Sequence, residues 1–523
     1  MKTPFKFDSN DLFVLDLANN HQGQVHHGLR IIRVVSEVVK QHQVRSAFKF
    51  QFRQLDTFIH PDHQQGSDHK QVKRFISTRL EQAEFAELLS EVRQQSLLAM
   101  CTPFDEESVD IILEMGFDII KVASCSARDW PLLEKIADAD KPVVASTGGL
   151  DVYDIDNLVS FFEHRGVDYA LMHCVSIYPT PNELCHLNQI DRFRRRYPHR
   201  PIGWSTHENP DDLAPVQIAV AKGAMLFERH VGIPTDSITL NAYSSTPEQV
   251  DRWIKAYKQA KVLCGSFERL PSSEVEMASI DGLKRGVFAR EKIPGGTRIT
   301  RDLVYFAMPF VDGQISSNQW KEGITALEPV QPDAPLMEAQ VNIPSDPNRL
   351  IIQRAVHEVK AMLNEANISL NSEFKVEYSH HYGIKNFRKT GAILIDCVNR
   401  EYCKKLIIQL PGQHHPLHFH KRKEETFQVL NGILHAEVDG HHRELYPGAT
   451  LLIQPGVWHQ FWTDTGVIFE EISTTHYNDD SFYKDKVINK MQRSERKTIV
   501  DHWGRFQLIS SLEEKGNASY SAN

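Results

Sequence analysis

Residues 97–124, LLAMCTPFDEESVDIILEMGFDIIKVAS, contain two short apolar runs separated by an amphipathic stretch. Each run has the length of one strand, and the stretch between them has helical periodicity. The same alternation continues on both sides, with helical patterns such as 29–39, 81–95 and 211–222. The strand candidates are LFVLDLA (12–18), AFKFQF (47–52), LLAMCTPF (97–104), DIIKVAS (118–124), PVVAST (142–147), YALMHCVS (169–176), PIGWSTH (201–207) and MLFERHV (225–231). Eight βα-like units predict an α/β domain that closes as a TIM (β/α)8 barrel, and a doubly wound sheet is the alternative.

The pattern changes after the predicted barrel. Short strand-like runs around a Pro-Gly-Gly turn (294–296) predict a small β-rich domain, and a helical stretch follows it. Further strands separated by Gly and Pro predict an all-β barrel. The expected domains are an α/β barrel (1–268), a small β-rich domain (271–345), a β-barrel domain (346–505) and a polar C-terminal tail (506–523).

Composition excludes several classes of protein. The chain has 523 residues, 41% of them apolar, and a net charge of −9, which argues against nucleic acid as a partner. No apolar run approaches the roughly 18 residues of a membrane-spanning helix, so no membrane partner is expected. The N-terminus lacks the pattern of a signal peptide, and the seven scattered cysteines suggest reduced thiols. We therefore expect a cytoplasmic location.

Polar residues end the predicted barrel strands, where such barrels place their active sites. Two lysines and several hydroxyls that converge there suit a phosphate or a carboxylate, and two histidines on adjacent strands suit one divalent metal ion. Taken singly, a lysine at a strand end is more often a solvated rim residue. The set is Lys49, Gln51, Thr102, Lys121, Ser124, Ser146, Ser176, Tyr178, Ser205, His207 and His230.

A second candidate site lies in residues 412–432, GQHHPLHFHKRKEETFQVLNG. His418 and His420 share one face of a strand because the side-chain period is two, Glu425 follows the next turn, and His459 lies in the later PGVWH segment. Three imidazoles and one carboxylate suit Mn, Fe, Co, Ni or Zn. This spacing resembles the two cupin motifs, and a His-rich barrel without metal is the alternative. Rim or turn positions are expected for the remaining histidines, His414, His415, His435, His441 and His442.

The first 265 residues resemble the sialic acid synthase family, which condenses phosphoenolpyruvate with sugars. The matching segments are NNHQG (19–23), FKFQ (48–51), CTPF (101–104), IIKVAS (119–124), STGG (146–149), MHCVSIYPTP (172–181), GWSTHENP (203–210) and FERHVG (227–232). The segment 271–345 resembles the antifreeze-like (SAF) domain of that family, and this resemblance implies a homodimer.

The resemblance implies a set of site residues and a reaction. His207 and His230 would hold the metal, usually Mn²⁺, and Asn20, Gln51 and Tyr178 would face the sugar. Asp16, Lys49 and Lys121 would be catalytic. The enolpyruvate C3 would attack a sugar aldehyde, and phosphate would leave. Phosphoenolpyruvate would be surrounded by Lys49, Thr102, Lys121, Ser124, Ser146, Ser176 and Ser205.

Some positions depart from the family pattern. Asp16 replaces a Glu, Cys125-Ser126 replaces a Gly-Glu pair, and Leu240-Asn241 replaces an Asp-His pair. Met308 stands where the antifreeze-like domain has a sugar-contacting Arg. The residues expected around phosphoenolpyruvate are kept, whereas several of those expected around the acceptor sugar are changed. This difference implies an acceptor other than plain N-acetylmannosamine. Loss of the condensation activity is the alternative.

Residues 375–485 resemble the D-lyxose isomerase-type sugar cupins. In that family a lysine before the ligand Glu and an acidic residue on a later strand move a proton, which implies Lys423 with Glu471, or with Glu470. The alternative for Lys423 is a solvated charge in the run KRKEE. Three functions follow: a synthase with a sugar-isomerising cupin, a synthase with a non-catalytic regulatory cupin, or a catalytically retired sugar-binding protein.

Overall fold

The computed structural model describes residues 11–64, 66–345, 348–370 and 374–501. The chain divides into two compact units, Met1–Pro271 and Ser272–Asn523. All seven cysteines are free thiols, as expected. Within the described ranges, no helix has both the length and the apolar character needed to cross a membrane. The predicted tail at 506–523 lies outside the described residues.

The first unit contains a closed barrel of eight parallel strands in sequential order. The strands are β1 (Leu12–Asp16), β2 (Ser46–Phe52), β3 (Leu98–Pro103), β4 (Ile119–Val122), β5 (Val143–Ser146), β6 (Tyr169–Cys174), β7 (Ile202–Ser205) and β8 (Leu226–His230). The helices are α1 (Val25–Gln41), α2 (Leu55–Phe58), α3 (Pro61–Gln64), α4 (Lys70–Ser77), α5 (Gln82–Gln94), α6 (Glu106–Glu114), α7 (Trp130–Ala137), α8 (Val152–Arg165), α9 (Asn188–Arg196), α10 (Ala214–Ala221) and α11 (Pro247–Cys264). All eight predicted strands are confirmed, and the doubly wound alternative is wrong because β8 pairs with β1.

The barrel interior is built in two layers that follow from the strand period of two. The lower layer is apolar and fully buried, with residues such as Val14, Ile119 and Leu226. Two positions further along the same strands, the inward residues are Asp16, Lys121 and Glu228. A plug of apolar side chains therefore closes the bottom of the barrel, and polar groups line its mouth.

Helices cover the outside of the barrel through apolar stripes. On α1, Ile31, Ile32, Val35 and Val39 recur at helical spacing and are fully buried against the strands. Close packing also explains Gly203 on β7, because a Cβ there would lie 2.7 Å from the carbonyl oxygen of Leu226.

The second unit begins with an exposed helix, α12 (Glu274–Gly282), followed by short strands. The strands β9 (Gly286–Ala289) and β10 (Val304–Ala307) form one antiparallel pair, and β11 (Thr325–Ala326) and β12 (Val341–Asn342) form another. A separate apolar cluster, including Val287, Ile299 and Leu336, lies between them. The expected β-rich character is confirmed for the residues that follow α12.

The rest of the second unit is a pair of antiparallel sheets, as predicted for a cupin. One sheet has the order β20-β17-β22-β15-β14-β13-β24, and the other has the order β19-β18-β21-β16-β23. The helix α13 (Asn348–Glu365) packs Ile352, Val356 and Val359 against the apolar core of this part. The remaining elements are β13 (Lys375–Ser379), β14 (Ala392–Asn399), β15 (Tyr402–Gln409), β16 (His414–Phe419), β17 (Glu425–Gly432), β18 (Leu434–Val438), β19 (His441–Leu445), β20 (Thr450–Ile453), β21 (His459–Trp462), β22 (Val467–Thr474), β23 (Phe482–Tyr483), α14 (Lys486–Lys490), α15 (Arg493–Arg496) and β24 (Lys497–Asp501).

Candidate functional site

A cavity of about 1070 Å³ opens at the carboxyl ends of the barrel strands. Twelve of the thirteen residues predicted for this site line it, and the exception is Asn20. The lining residues from that set are Asp16, Lys49, Gln51, Thr102, Lys121, Ser124, Ser146, Ser176, Tyr178, Ser205, His207 and His230. The strand-end pattern therefore brings these side chains to one cavity.

Lys49 is a buried cation held between two carboxylates. Its Nζ lies 3.0 Å from Asp16 Oδ2 and 2.7 Å from Glu228 Oε1, and the lysine is only 4% exposed. Burial lowers the pKa of Lys49, but the two carboxylates outweigh this effect and raise the pKa above its ordinary value. Lys49 therefore carries a fixed positive charge at the cavity floor, and the solvated-rim alternative is wrong for it.

Glu228 joins Lys49 to the second buried lysine. Lys121 Nζ lies 3.7 Å from Glu228 Oε2 and donates a hydrogen bond to Ser146 Oγ. Burial raises the pKa of Glu228, but Lys121 and Lys49 outweigh this and hold it below its ordinary value. Burial lowers the pKa of Lys121, and Glu228 opposes this shift only in part. The cavity floor thus combines two lysines with two carboxylates.

The two barrel histidines face each other across the cavity, with ring centroids 5.4 Å apart. His207 Nδ1 lies 2.9 Å from the carbonyl oxygen of Val175, and His230 Nδ1 lies 3.3 Å from Asp16 Oδ2. Burial lowers the pKa of His230 to about 4, so its imidazole is neutral near pH 7. With Nδ1 of each ring committed, Nε2 remains as a metal-ligating atom, and the donor chemistry fits a divalent ion.

Hydroxyl groups line the wall beside the lysines. The Thr102 hydroxyl is buried and has no hydrogen-bond partner among the described residues. The backbone N–H of Gly148 donates to Ser124 Oγ at 2.9 Å, and a Cβ at Gly148 would clash with the hydroxyls of Ser124 and Ser176. This part of the wall can therefore offer several donors to an anion.

The cupin contains a compact group of metal-binding side chains: His418, His420, Glu425 and His459. Their ligating atoms all lie within 4.8 Å of one another, and each residue is at most 5% exposed. The Nδ1 atoms of the three histidines are each held by a backbone carbonyl oxygen, at 3.0 Å, 2.6 Å and 3.1 Å respectively. The three Nε2 atoms are therefore free to bind one ion, and the predicted set is brought together.

Two polar atoms of this group lie close together and lack hydrogen-bond partners in the described part of the chain. Glu425 Oε1 and His459 Nε2 lie 2.8 Å apart, yet among the described residues neither has a hydrogen bond of acceptable geometry. Buried polar atoms without partners are costly, and a metal ion would satisfy both. The site therefore fits a divalent metal, whose identity the donor set does not fix.

Lys423 is buried beside this group. Its Nζ lies 2.5 Å from Glu425 Oε2 and 2.9 Å from Glu471 Oε1. Burial lowers the pKa of Lys423, but the two carboxylates raise it above its ordinary value. The solvated-charge alternative is therefore wrong, and the choice of Glu471 is supported, because Glu470 instead pairs with Lys404.

The cupin cavity is small. It has a volume of about 40 Å³ and is lined by His418, His420 and Glu425 of the metal-binding group, by Lys423 and Glu471, and by the rings of Phe427, Phe461 and Tyr483. Pockets for small organic ligands are usually about 300–1,000 Å³. In this conformation the cavity has room for an ion with little solvent.

Comparisons with known proteins agree with both folds. The NeuB family matches residues 38–269, and the Cupin domain matches residues 406–470. A crystal structure of a Chromobacterium violaceum protein assigned to spore coat polysaccharide biosynthesis (protein E) has 48% sequence identity and a TM-score of 0.60, covering 64% of this chain and 99% of that one.

Two relatives each match a little over half of this chain. An uncharacterized protein of Methanocaldococcus jannaschii is 30% identical over 55% of this chain and 82% of its own length. The chain belongs to the NeuB family. N-acetylneuraminate-9-phosphate synthase of the mouse is 26% identical over 56% of this chain and 81% of its own length.

In this NeuB-family chain, one residue was missed from the sequence and one was misjudged. Glu228 was overlooked, although it lies two positions before His230 and so shares its face. His415 is not a rim residue: it is buried, lines the cupin cavity and stacks on Phe461 at 4.4 Å. Asn20 is buried and donates its amide to the carbonyl of Val231 at 2.8 Å, so a sugar contact by Asn20 stays a prediction.

Two departures from the family pattern line the barrel cavity: Cys125, where the pattern has a Gly, and Asn241, where it has a His. Of the other cupin histidines, His441 and His442 are exposed as predicted, and His414 and His435 are half-buried.

Proposed function

We propose that the barrel condenses phosphoenolpyruvate with a sugar aldehyde, making a nonulosonic (sialic-type) acid and releasing phosphate. The observation that carries this proposal is the pair of buried lysines, Lys49 and Lys121, at the floor of a 1070 Å³ cavity beside several hydroxyls, of which that of Thr102 has no partner among the described residues. Membership of the NeuB family and the names of its synthase relatives support the same reaction class.

The donor end of the cavity suits phosphoenolpyruvate. Lys49 and Lys121 supply positive charge, and the hydroxyls of Thr102, Ser124, Ser146, Ser176 and Ser205 supply hydrogen-bond donors for its phosphate and carboxylate. Asp16 acts as a positioning residue, since it contacts both Lys49 and His230. Gln51 and Tyr178 lie further out in the same cavity and would face the acceptor.

In this reaction a C–C bond forms between C3 of the enolpyruvate and the sugar carbonyl carbon. Water adds at C2, and the C2–O bond to phosphate breaks. A divalent ion held by His207 and His230, Mn²⁺ in our proposal, supplies Lewis acidity toward the carbonyl oxygen. The lysines hold the anionic donor beside that carbonyl and exclude other orientations.

For the cupin we propose a metal-binding module of the same enzyme rather than a sugar isomerase. The observation that favours this is the cavity volume of about 40 Å³, which leaves no room for a sugar beside the ion. The buried Lys423 then neutralises and orients Glu425, and Glu471 holds Lys423 in place. A role in gating or sensing is compatible with this arrangement. The antifreeze-like assignment of 271–345 and the homodimer also remain proposals.

The experiment is a condensation assay with the full chain. Metal-loaded protein is incubated with phosphoenolpyruvate and a panel of hexoses and acetamido sugars, and phosphate and product mass are followed. The proposal expects a product heavier than one sugar by a pyruvyl unit. Release of no phosphate with any sugar would refute the synthase and favour the retired sugar-binding alternative.

A further inference from the structure

The outer wall of the barrel cavity is basic. Residues 53–75 contribute Arg53, Lys70 and Arg74 to the lining, and no carboxylate. None of these three cations makes an ion pair with any residue in the described part of the chain. Unpaired cations that line one wall of a cavity attract an anion.

The floor of the cavity has no surplus charge of its own. Lys49 and Lys121 are matched there by Asp16 and Glu228, which are the only carboxylates among the described lining residues. The net positive charge contributed by the chain therefore lies on the outer wall. Two anion-binding regions result: the floor, where hydroxyls and a metal assist the lysines, and the outer wall.

Arg53 is the fixed element of the outer wall. Its guanidinium lies between two rings, 4.0 Å from the centroid of Phe75 and 3.6 Å from that of Phe104. Nη2 donates to Gln51 Oε1 at 3.2 Å, and Nε is buried without a partner among the described residues. Burial lowers the pKa of Arg53 to about 10, so it is still protonated at neutral pH. A preorganised guanidinium with unused donors suits a phosphate or carboxylate.

The distance along the chain separates this anion site from the donor site. Lys49, Gln51 and Arg53 alternate on and just beyond β2, and four residues of extended chain span about 13 Å. Gln51 lies between the two cations. An acceptor that extends from the donor site to Arg53 would have its middle beside Gln51 and its far end beside the guanidinium.

We propose that the sugar acceptor carries a phosphate or carboxylate group at the end remote from its reacting carbonyl, and that Arg53, aided by Arg74 and Lys70, binds that group. This inference rests on the proposed condensing function. It also accounts for Asn241, which stands where the family pattern has a His, since an acceptor anchored through a charged end needs fewer of the family's usual contacts.

The experiment compares three acceptors that share one ring: N-acetylmannosamine, N-acetylmannosamine 6-phosphate and N-acetylmannosaminuronic acid. Full-length, Mn²⁺-loaded protein is assayed with phosphoenolpyruvate, and binding of each sugar is measured separately by calorimetry. We expect kcat/KM for one anionic sugar to exceed that for the neutral sugar at least about tenfold. Whether the phosphate or the uronate is preferred identifies the group.

The variants are Arg53→Gln and Arg74→Gln, with the exposed Arg195→Gln on α9 as the matched control. Arg53→Gln should raise KM for the preferred anionic sugar about tenfold to one-hundredfold and reduce its advantage over the neutral sugar. Arg195→Gln should leave both sugars at wild-type values.

Two results would overturn the inference and leave the proposed function standing. One is condensation of the neutral sugar at least as efficient as that of both anionic sugars, and the other is an equal effect of Arg53→Gln on all three. If no sugar supports phosphate release, the proposed function fails, and the binding data still decide the inference. Equal binding of charged and neutral sugars by wild type and Arg53→Gln would then overturn it.

Discussion

The barrel mouth and the cupin cavity are built around the same arrangement of charges. In each, a buried lysine lies between two buried carboxylates: Lys49 is within 3.0 Å of Asp16 and Glu228, and Lys423 is within 2.9 Å of Glu425 and Glu471. In each, the carboxylates raise the pKa of the lysine above its ordinary value against the opposing effect of burial. Imidazoles suited to a metal ion stand beside both.

The two regions differ in space and in donor number. The barrel cavity has about 1070 Å³ and a candidate metal-binding set of two imidazoles, whereas the cupin cavity has about 40 Å³ and a candidate set of three imidazoles with a carboxylate. A charge arrangement therefore does not define a function by itself. In our proposal, room beside the two histidines lets the barrel take two substrates, whereas the closed set of four candidate ligands suits the cupin to holding an ion.

The largest expected effect is on cupin metal binding. His418→Ala removes one of four ligands, and we expect its metal affinity to fall more than about 100-fold, beyond the loss typical of supporting residues. Metal analysis after dialysis should show one equivalent less per chain than in wild type. The control is His442→Ala, an exposed histidine outside the cluster. Equal metal content in both variants would contradict the assignment of the cupin site.

Removing Lys423 tests the charge arrangement in the cupin. Lys423→Met leaves Glu425 and Glu471 buried without their cation, so the free energy of unfolding of the metal-free protein should fall by about 3–5 kcal/mol. Adding Zn²⁺ should restore part of this loss, because the ion replaces the missing charge. Denaturant unfolding without Zn²⁺ measures the loss of stability, and unfolding with Zn²⁺ measures how much of it the ion restores.

The matched control is the neighbouring pair Lys404–Glu470, 2.8 Å apart, with the Lys404 side chain 42% exposed. Lys404→Met should cost at most about 1 kcal/mol, since exposed pairs are screened by water. Similar losses for the two variants would mean that burial does not set the strength of the Lys423 pairs.

Removing Lys49 tests the same arrangement in the barrel. We expect Lys49→Met to slow condensation about 100-fold to 1,000-fold, as is typical when a group that stabilises transition-state charge is lost. Phosphate release measures the rate, and a thermal melt shows whether the variant is folded. Lys135→Met, which removes a surface partner of Asp110, is the control. A wild-type rate of phosphate release by a folded Lys49→Met protein would show that Lys49 does not act at the donor site.

The last expected effect is a loss of stability of the cupin at low pH. Burial raises the pKa of Glu377, but Lys497, 2.6 Å away, outweighs this and lowers it from 4.5 to about 2. Burial also lowers the pKa of Lys497, and Glu377 opposes this shift. Since the folded pKa of Glu377 is depressed, its contribution of about 3 kcal/mol is present above pH 4.5 and is lost as the pH falls toward 2.

Unfolding of wild type and Glu377→Gln at pH 6 and pH 3 measures this contribution. The difference in free energy of unfolding should be about 3 kcal/mol at pH 6 and smaller at pH 3. The exposed Glu358→Gln, which removes a surface partner of Arg388, should differ little from wild type at either pH. A gap between wild type and Glu377→Gln that is the same at both pH values would show that Glu377 is not the titrating group.

The sequence predicted the barrel well because one rule covers all eight strands. Inward positions alternate, and an apolar plug residue is followed two positions later by a polar one, as in Ile119 and Lys121. The same rule applied backward from His230 would have found Glu228. Glu228 was therefore predictable from the sequence pattern.

In the cupin, the alternation of side chains along a strand does not predict every contact. Strict alternation on β16 would turn His415 away from His418, but the register of β16 shifts between these two residues and brings both into one cavity. The cavity volume depends on how Phe427, Phe461 and Tyr483 pack, and a one-dimensional pattern contains no such information. The sequence therefore predicted the candidate metal ligands of the cupin, but not the volume of the cavity beside them.

The most direct test of the central claim uses phosphoenolpyruvate labelled with ¹⁸O in the oxygen that bridges C2 and phosphorus. Full-length, Mn²⁺-loaded protein is incubated with this donor and the acceptor sugars, and the label is located by mass spectrometry. Condensation with cleavage of the C2–O bond predicts that the label leaves with phosphate and that the product gains a pyruvyl unit. Label retained in free pyruvate, or no release of phosphate with any acceptor, would contradict the account.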